Sequence, residues 1–102
     1  MAESITVDQA NKIVELGQAR IFDLRDEGSY LAGHINGAVR LTQDTLINHV
    51  KEKDMDVPIL VYCYHGISSE ATAAFLSAQG FTKVYSMIGG FEAWRGKYEI
   101  IS

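Results

Sequence analysis

The chain has 102 residues, is 47% hydrophobic and 22% charged, and carries a formal charge of -4 at neutral pH. A chain of this size can remove roughly two-thirds of its unfolded surface from water around one core with a radius of gyration of about 13 Å, so one domain over residues 1–102 is expected and a second is excluded. The longest apolar run, Pro58 to Cys63, falls far short of the roughly 20 residues that cross a bilayer, and nine basic residues are scattered among thirteen acidic ones, so neither a membrane nor nucleic acid is an expected partner. The opening Met1-Ala2-Glu3-Ser4 lacks the basic and apolar segments of a secretory signal, which points to the cytoplasm. A single cysteine, Cys63, excludes an intramolecular disulfide and any CxxC redox or zinc motif.

With one proline and no low-complexity stretch or repeat, the chain offers no linker. Ile5 can begin a first short strand. Thr6 followed by Gln9 has the spacing of a capping box, and Ala10, Ile13, Val14 and Leu16 supply the apolar face of a helix that Gly17 stops. A β-rich segment over Ala19 to Leu24 follows, then a short polar helix around Glu27 to Ala32. Ala38 to Leu41 is a further strand, and Thr42 caps a helix whose Leu46, Ile47 and Val50 are expected to share a face. After the acidic turn Lys53-Asp54-Met55-Asp56, Pro58 opens the strongest strand, Ile59-Leu60-Val61-Tyr62. Its lack of alternation predicts burial on both faces at the centre of a parallel sheet. Ser68 to Gln79 is a helix with an expected serine cap and Gly80 as its stop, Val84-Tyr85-Ser86 a last strand, and Gly89-Gly90 the entry to a short helix bearing Phe91 and Trp94. Strands separated by helices imply right-handed crossovers, and hence a three-layer α/β/α domain with a mostly parallel five-stranded sheet.

Ligands of open α/β sheets bind outside the carboxyl ends of the strands, and Cys63 lies where a central strand hands over to a helix. The loop from Tyr64 to Ser69 supplies backbone N–H groups, and the next helix points its positive end at the same place. A thiol there is expected to shift toward its thiolate, the form that attacks. Position alone also suits a small buried hydrophobe, since free cysteines often end buried strands. Gly66 favours the cradle because it allows positive φ and lets the amides curl inward, His65 is either a cation or a solvent-exposed loop residue, and Ser68 and Ser69 can cap the helix and donate to an anion.

Three segments together resemble the rhodanese, or thiosulfate sulfurtransferase, family, and the resemblance runs along essentially the whole chain. They are Asp23-Leu24-Arg25-Asp26 through Tyr30 with Gly33-His34-Ile35-Asn36-Gly37-Ala38, the loop Cys63-Tyr64-His65-Gly66-Ile67-Ser68-Ser69, and Gly89-Gly90-Phe91-Glu92-Ala93-Trp94. The loop and the last segment are most similar to the single-domain GlpE type of bacteria. The resemblance implies that Cys63 takes the outer sulfur of thiosulfate, releases sulfite, holds the sulfur as a persulfide and passes it to cyanide or to a thiol such as thioredoxin. Tyr64, His65, Gly66, Ile67, Ser68 and Ser69 would form the binding loop, with no metal and no organic cofactor. Many rhodaneses carry a basic residue late in this loop, where Ile67-Ser68-Ser69 stands here, so modest affinity for thiosulfate is expected.

Outside the loop, Asp23 and Arg25 are expected to fix the turn after their strand, His34 to be a hydrogen-bonded packing residue, His49 to lie at a helix edge and Trp94 to be core. Gly89 and Gly90 suit a tight turn where a Cβ would obstruct the substrate. Arg40, Arg95 and Lys97 are cations that sequence cannot place. A cysteine phosphatase or arsenate reductase of related fold would need an arginine clamp that Ser68 and Ser69 cannot supply, and a partner-binding module without activity would ordinarily lack the cysteine. A sulfur carrier dedicated to another protein is the remaining alternative.

Overall fold

A computed structural model describes residues 2–51 and 54–102. In chain order the elements are β1 (Ala2–Ile5), α1 (Val7–Leu16), β2 (Arg20–Asp23), α2 (Glu27–Ala32), β3 (Ala38–Arg40), α3 (Gln43–Val50), β4 (Ile59–Tyr62), α4 (Ser68–Ala78), β5 (Val84–Met87) and α5 (Gly90–Arg95). The strands form one five-stranded sheet in the order β1-β5-β4-β2-β3, and every ladder in it is parallel. An isolated antiparallel bridge between His34 and Ile101 ties the carboxyl end to the segment after α2.

Strand periodicity sorts the core into two layers. Ile21, Leu60, Tyr62 and Met87 face one side with Ala10 of α1 and Phe91 and Trp94 of α5, while Phe22, Ile59, Val61 and Val84 face the other with Ala73 and Leu76 of α4. All four residues of β4 are buried, as an unalternating central strand requires. The three layers and the parallel sheet thus agree with the sequence pattern, as do the capping box Thr6–Gln9 and the Thr42 cap, which the structure extends to a box with Thr45. Trp94 is core, its Nε1–H donating to Glu99 O at 3.0 Å.

Three local expectations are corrected. Ile5 ends β1 instead of starting it, because the polar residues before it pair their backbones with β5 from Ala2↔Val84 to Ile5↔Met87. Ile47 is 57% exposed: one residue turns a helix by about 100°, so Ile47 diverges from Leu46, which packs on the core. The third concerns the start of α4, where the expected serine cap is missing. Its N-cap position is Ile67, with no side-chain cap, and Ser68 and Ser69 lie inside the helix. Met1, Lys53 and the side chain of Val50 lie outside the described residues.

Candidate active site

β4 and β2 are neighbours whose last residues stand in register, Tyr62 opposite Asp23, and the chain leaves the two strands in opposite directions, toward β5 and toward β3. Such a divergence leaves a crevice at the carboxyl ends of the strands. Cys63 on one side and Leu24 on the other line it, the Leu24 N–H donating to Tyr62 O at 2.9 Å across the gap.

Cys63 is 7% exposed, and its sulfur is held by the loop that follows it. The N–H groups of Gly66 and Ser69 donate to Sγ at 3.2 and 3.4 Å. The Ser69 hydroxyl is 3.5 Å away; a thiol donates to it, and it donates to a thiolate. This accounts for the missing serine cap. Ser69 is the second residue of α4, its N–H is one of the unpaired donors every helix start must satisfy, and the cysteine sulfur satisfies it. Burial opposes ionisation of Cys63, and hydrogen bonds from the Ser69 hydroxyl and the amides of Ser69, Gly66 and His65 outweigh it, so the thiol ionises below its ordinary value.

The loop is locked from behind by the β5–α5 turn. Phe91 N–H donates to Cys63 O at 2.8 Å and Glu92 N–H to Tyr64 O at 3.1 Å, which turns both carbonyls away from the sulfur and leaves amides facing it. The approach is so close that two glycines are obligatory. Gly66 has φ +87°, and a Cβ there would stand 2.8 Å from Met87 O; at Gly90, φ +59°, a Cβ would stand 2.5 Å from Cys63 O. Gly90 therefore clears the backbone of the cysteine loop, and Gly89 the Cβ of Ala93 at 2.7 Å, which corrects the expectation that a Cβ on this turn would meet the substrate.

A cavity of about 420 Å3 opens over the sulfur, lined by Leu24, Arg25, Asp26, Cys63, Tyr64, His65, Ile67 and Ser68. Of the predicted loop, His65 and Ser68 line this space, Ile67 forms an apolar rim at 77% exposure, and Tyr64 leans across the crevice to donate to Asp26 at 3.1 Å and meet the Ser29 hydroxyl. In the wall from the β2–α2 turn Arg25 and Asp23 neutralise each other, and Asp26 adds a carboxylate. Arg25 is buried, bonds both oxygens of Asp23 at 2.7 to 3.1 Å, donates to Gly33 O at 2.6 Å and lies 3.7 Å from the centre of the Phe91 ring. Asp23 and Arg25 thus fix the turn, and Asp26 caps α2 by accepting the Ser29 N–H. His34 stacks on Tyr30 and bonds its carbonyl at 2.7 Å, as a packing residue does. His49 is half-buried, accepting from Arg20 and packing on Phe22. Lys97 pairs with Asp8 and Arg95 with Glu92, so neither cation faces the sulfur. Among the described residues no group of three His, Cys, Asp or Glu side chains is placed to hold a metal, and no helix is long and apolar enough to cross a membrane.

This arrangement agrees with a family model described as rhodanese-like domain, which matches residues 6–97. The chain belongs to this family. Solved rhodanese-like structures superpose on it. A rhodanese-like domain protein from Staphylococcus aureus is 27% identical with a TM-score of 0.75, covering 90% of each chain. A rhodanese-related protein from Thermoplasma volcanium is 24% identical with a TM-score of 0.80, covering 97% of each. The human single-domain sulfurtransferase TSTD1 shares the fold at 17% identity and a TM-score of 0.80, covering 94% of this chain and 97% of its own. The rhodanese-like domain is a sulfur-transfer family, and the crevice at Cys63 has the chemistry for it: an ionisable thiol, amide donors around it and an open cavity above. Sequence reasoning missed Leu24 and Asp26 as cavity walls and Ser86 as a neighbour of the loop. The strand-end position of Leu24-Arg25-Asp26 was a usable signal for the first two, whereas a lone serine in an apolar strand carries none.

Proposed function

We propose that the protein is a thiosulfate sulfurtransferase of the single-domain GlpE type, acting by double displacement through a persulfide on Cys63. The observation that carries this reading is the convergence of the Gly66 and Ser69 amides and the Ser69 hydroxyl on Cys63 Sγ. In the first displacement the thiolate attacks the outer sulfur of thiosulfate, the sulfur–sulfur bond of the donor breaks, and sulfite leaves with the electron pair. In the second, cyanide or a thiolate acceptor attacks the outer sulfur and Cys63 departs as the thiolate. The loop from Tyr64 to Ser69 stabilises the anionic sulfur through fixed dipoles, and the scheme draws on no metal or cofactor. Thioredoxin or another sulfur-accepting protein in the cytoplasm is the proposed thiol acceptor.

One observation favours a second donor. Arg25 is already paired with Asp23, and Asp26 adds a carboxylate to the cavity wall, so His65 is the cavity residue left to attract a dianion. Sulfur delivered by a partner protein, the carrier reading, avoids that mismatch.

Intact mass of the reduced protein after incubation with thiosulfate, and again after cyanide, tests the proposal. One sulfur atom gained and then lost to cyanide is the expected result; the cyanide step separates it from two added oxygens, which weigh nearly the same. Cys63→Ser should show no gain and lose at least about 10⁴-fold in turnover with its fold intact. No gain in the unaltered protein overturns the thiosulfate assignment in favour of the carrier, and substantial turnover by Cys63→Ser overturns the mechanism.

A further inference from the structure

The hydrogen bonding around Cys63 does not stop at Ser69. Ser86 of β5 is 3% exposed and faces α4, and its hydroxyl is 2.7 Å from that of Ser69, so a buried chain runs Cys63 Sγ, Ser69 Oγ, Ser86 Oγ. Each hydroxyl has one proton to donate, and the direction of the chain therefore follows the state of the sulfur. When Sγ is protonated it donates to Ser69, which can donate onward to Ser86. When Sγ is a thiolate the Ser69 proton must point at it, and the Ser69 oxygen then needs a donor, which Ser86 supplies.

We propose that Ser86 is a positioning residue for the reactive thiol, holding the Ser69 hydroxyl in the orientation that donates to the Cys63 thiolate. The inference rests on the reading of Cys63 as the sulfur-transfer nucleophile and adds a residue to that machinery. Backbone pairing on both sides, with Ser4 of β1 and Val61 of β4, fixes the Ser86 main chain, so its hydroxyl is presented from a rigid element. The other groups around the chain are accounted for. Arg25, Asp26, Tyr64 and His65 border the cavity over the sulfur, and Glu3 and Glu70 border a separate cavity of about 210 Å3 that Ser86 also lines. None of these is removed by a change at residue 86.

The test is the rate of Cys63 alkylation by iodoacetamide across pH, which reads thiolate population without requiring sulfur transfer. Ser86→Thr and Ser86→Val have nearly the same shape and differ in the hydroxyl. The valine variant should titrate at higher pH than the threonine variant and react about threefold or more slowly below its midpoint, with equal plateaus where both thiols are fully ionised. Threonine should restore the unaltered midpoint. In a Ser69→Ala background the difference between the two variants should vanish, because Ser86 acts through Ser69. Equal midpoints for threonine and valine, or a difference that persists without Ser69, overturns the proposal. Failure of the unaltered protein to take sulfur from thiosulfate would instead sink the donor assignment and leave the alkylation result standing.

Discussion

Two neighbouring strand-to-helix turns end in opposite electrostatic states. β2 and β4 lie side by side and finish in register, and each leads through a short turn into a helix. The turn after β2 satisfies itself: Arg25 is consumed by Asp23 and Gly33 O, and the Asp26 carboxylate caps α2. The turn after β4 has no side-chain cap, and its spare N–H groups converge on Cys63 Sγ. One turn makes a stable wall and the other leaves donors for an anion. The two turns therefore differ in whether the donors at the helix start are used within the turn or left to a strand-end sulfur.

Breaking the self-satisfied turn has the largest expected effect on stability. Asp23→Ala strands a buried guanidinium and should cost about 3–5 kcal/mol in a denaturant melt. A loss under about 1 kcal/mol would mean that Arg25 finds water or another partner. Breaking the turn after β4 through its backbone comes next. Gly66→Val forces a β-branched side chain to positive φ against Met87 O, and should cost roughly 3 kcal/mol together with most of the sulfur-loading activity, measured by intact mass.

The contrast in capping gives a sharper and smaller test. Asp26→Ala should cost about 1 kcal/mol, whereas Ser68→Ala should change stability by less than about 0.5 kcal/mol, because the serine is not the cap of α4. Comparable losses from the two would place a serine cap back on α4. The smallest effect is in pH dependence. The folded thiol ionises at lower pH than the unfolded one, so its ionisation adds stability as pH rises between the two values, and the gain is constant above the unfolded value and lost as pH falls through the folded one. Melting temperatures of the unaltered protein and Cys63→Ser should diverge across that window and run parallel outside it.

The parts of this molecule legible in the sequence are those decided locally or by period. Thr6 and Gln9 announce α1, the unbroken Ile59 to Tyr62 announces a central strand, and Gly66 announces a loop that passes through positive φ. What was illegible depends on partners distant in sequence. Residues Ala2 to Ser4 are a strand because β5 offers them a ladder, which polar side chains do not reveal. Gly90 spares the Cys63 carbonyl, an approach visible only once β5 and α5 are folded against the loop. The serine cap failed for a similar reason: the acceptor at the start of α4 comes from Cys63, six residues before Ser69, and from a residue type that capping rules do not rank.

That last feature makes the helix a gauge of the sulfur. The atom that accepts from the first turn of α4 is the sulfur proposed as the nucleophile, so alkylating or oxidising it would change the acceptor on which a buried amide and a buried hydroxyl depend. A reagent that alkylates Cys63 should therefore shift the unfolding temperature, and leave that of Cys63→Ser where it was.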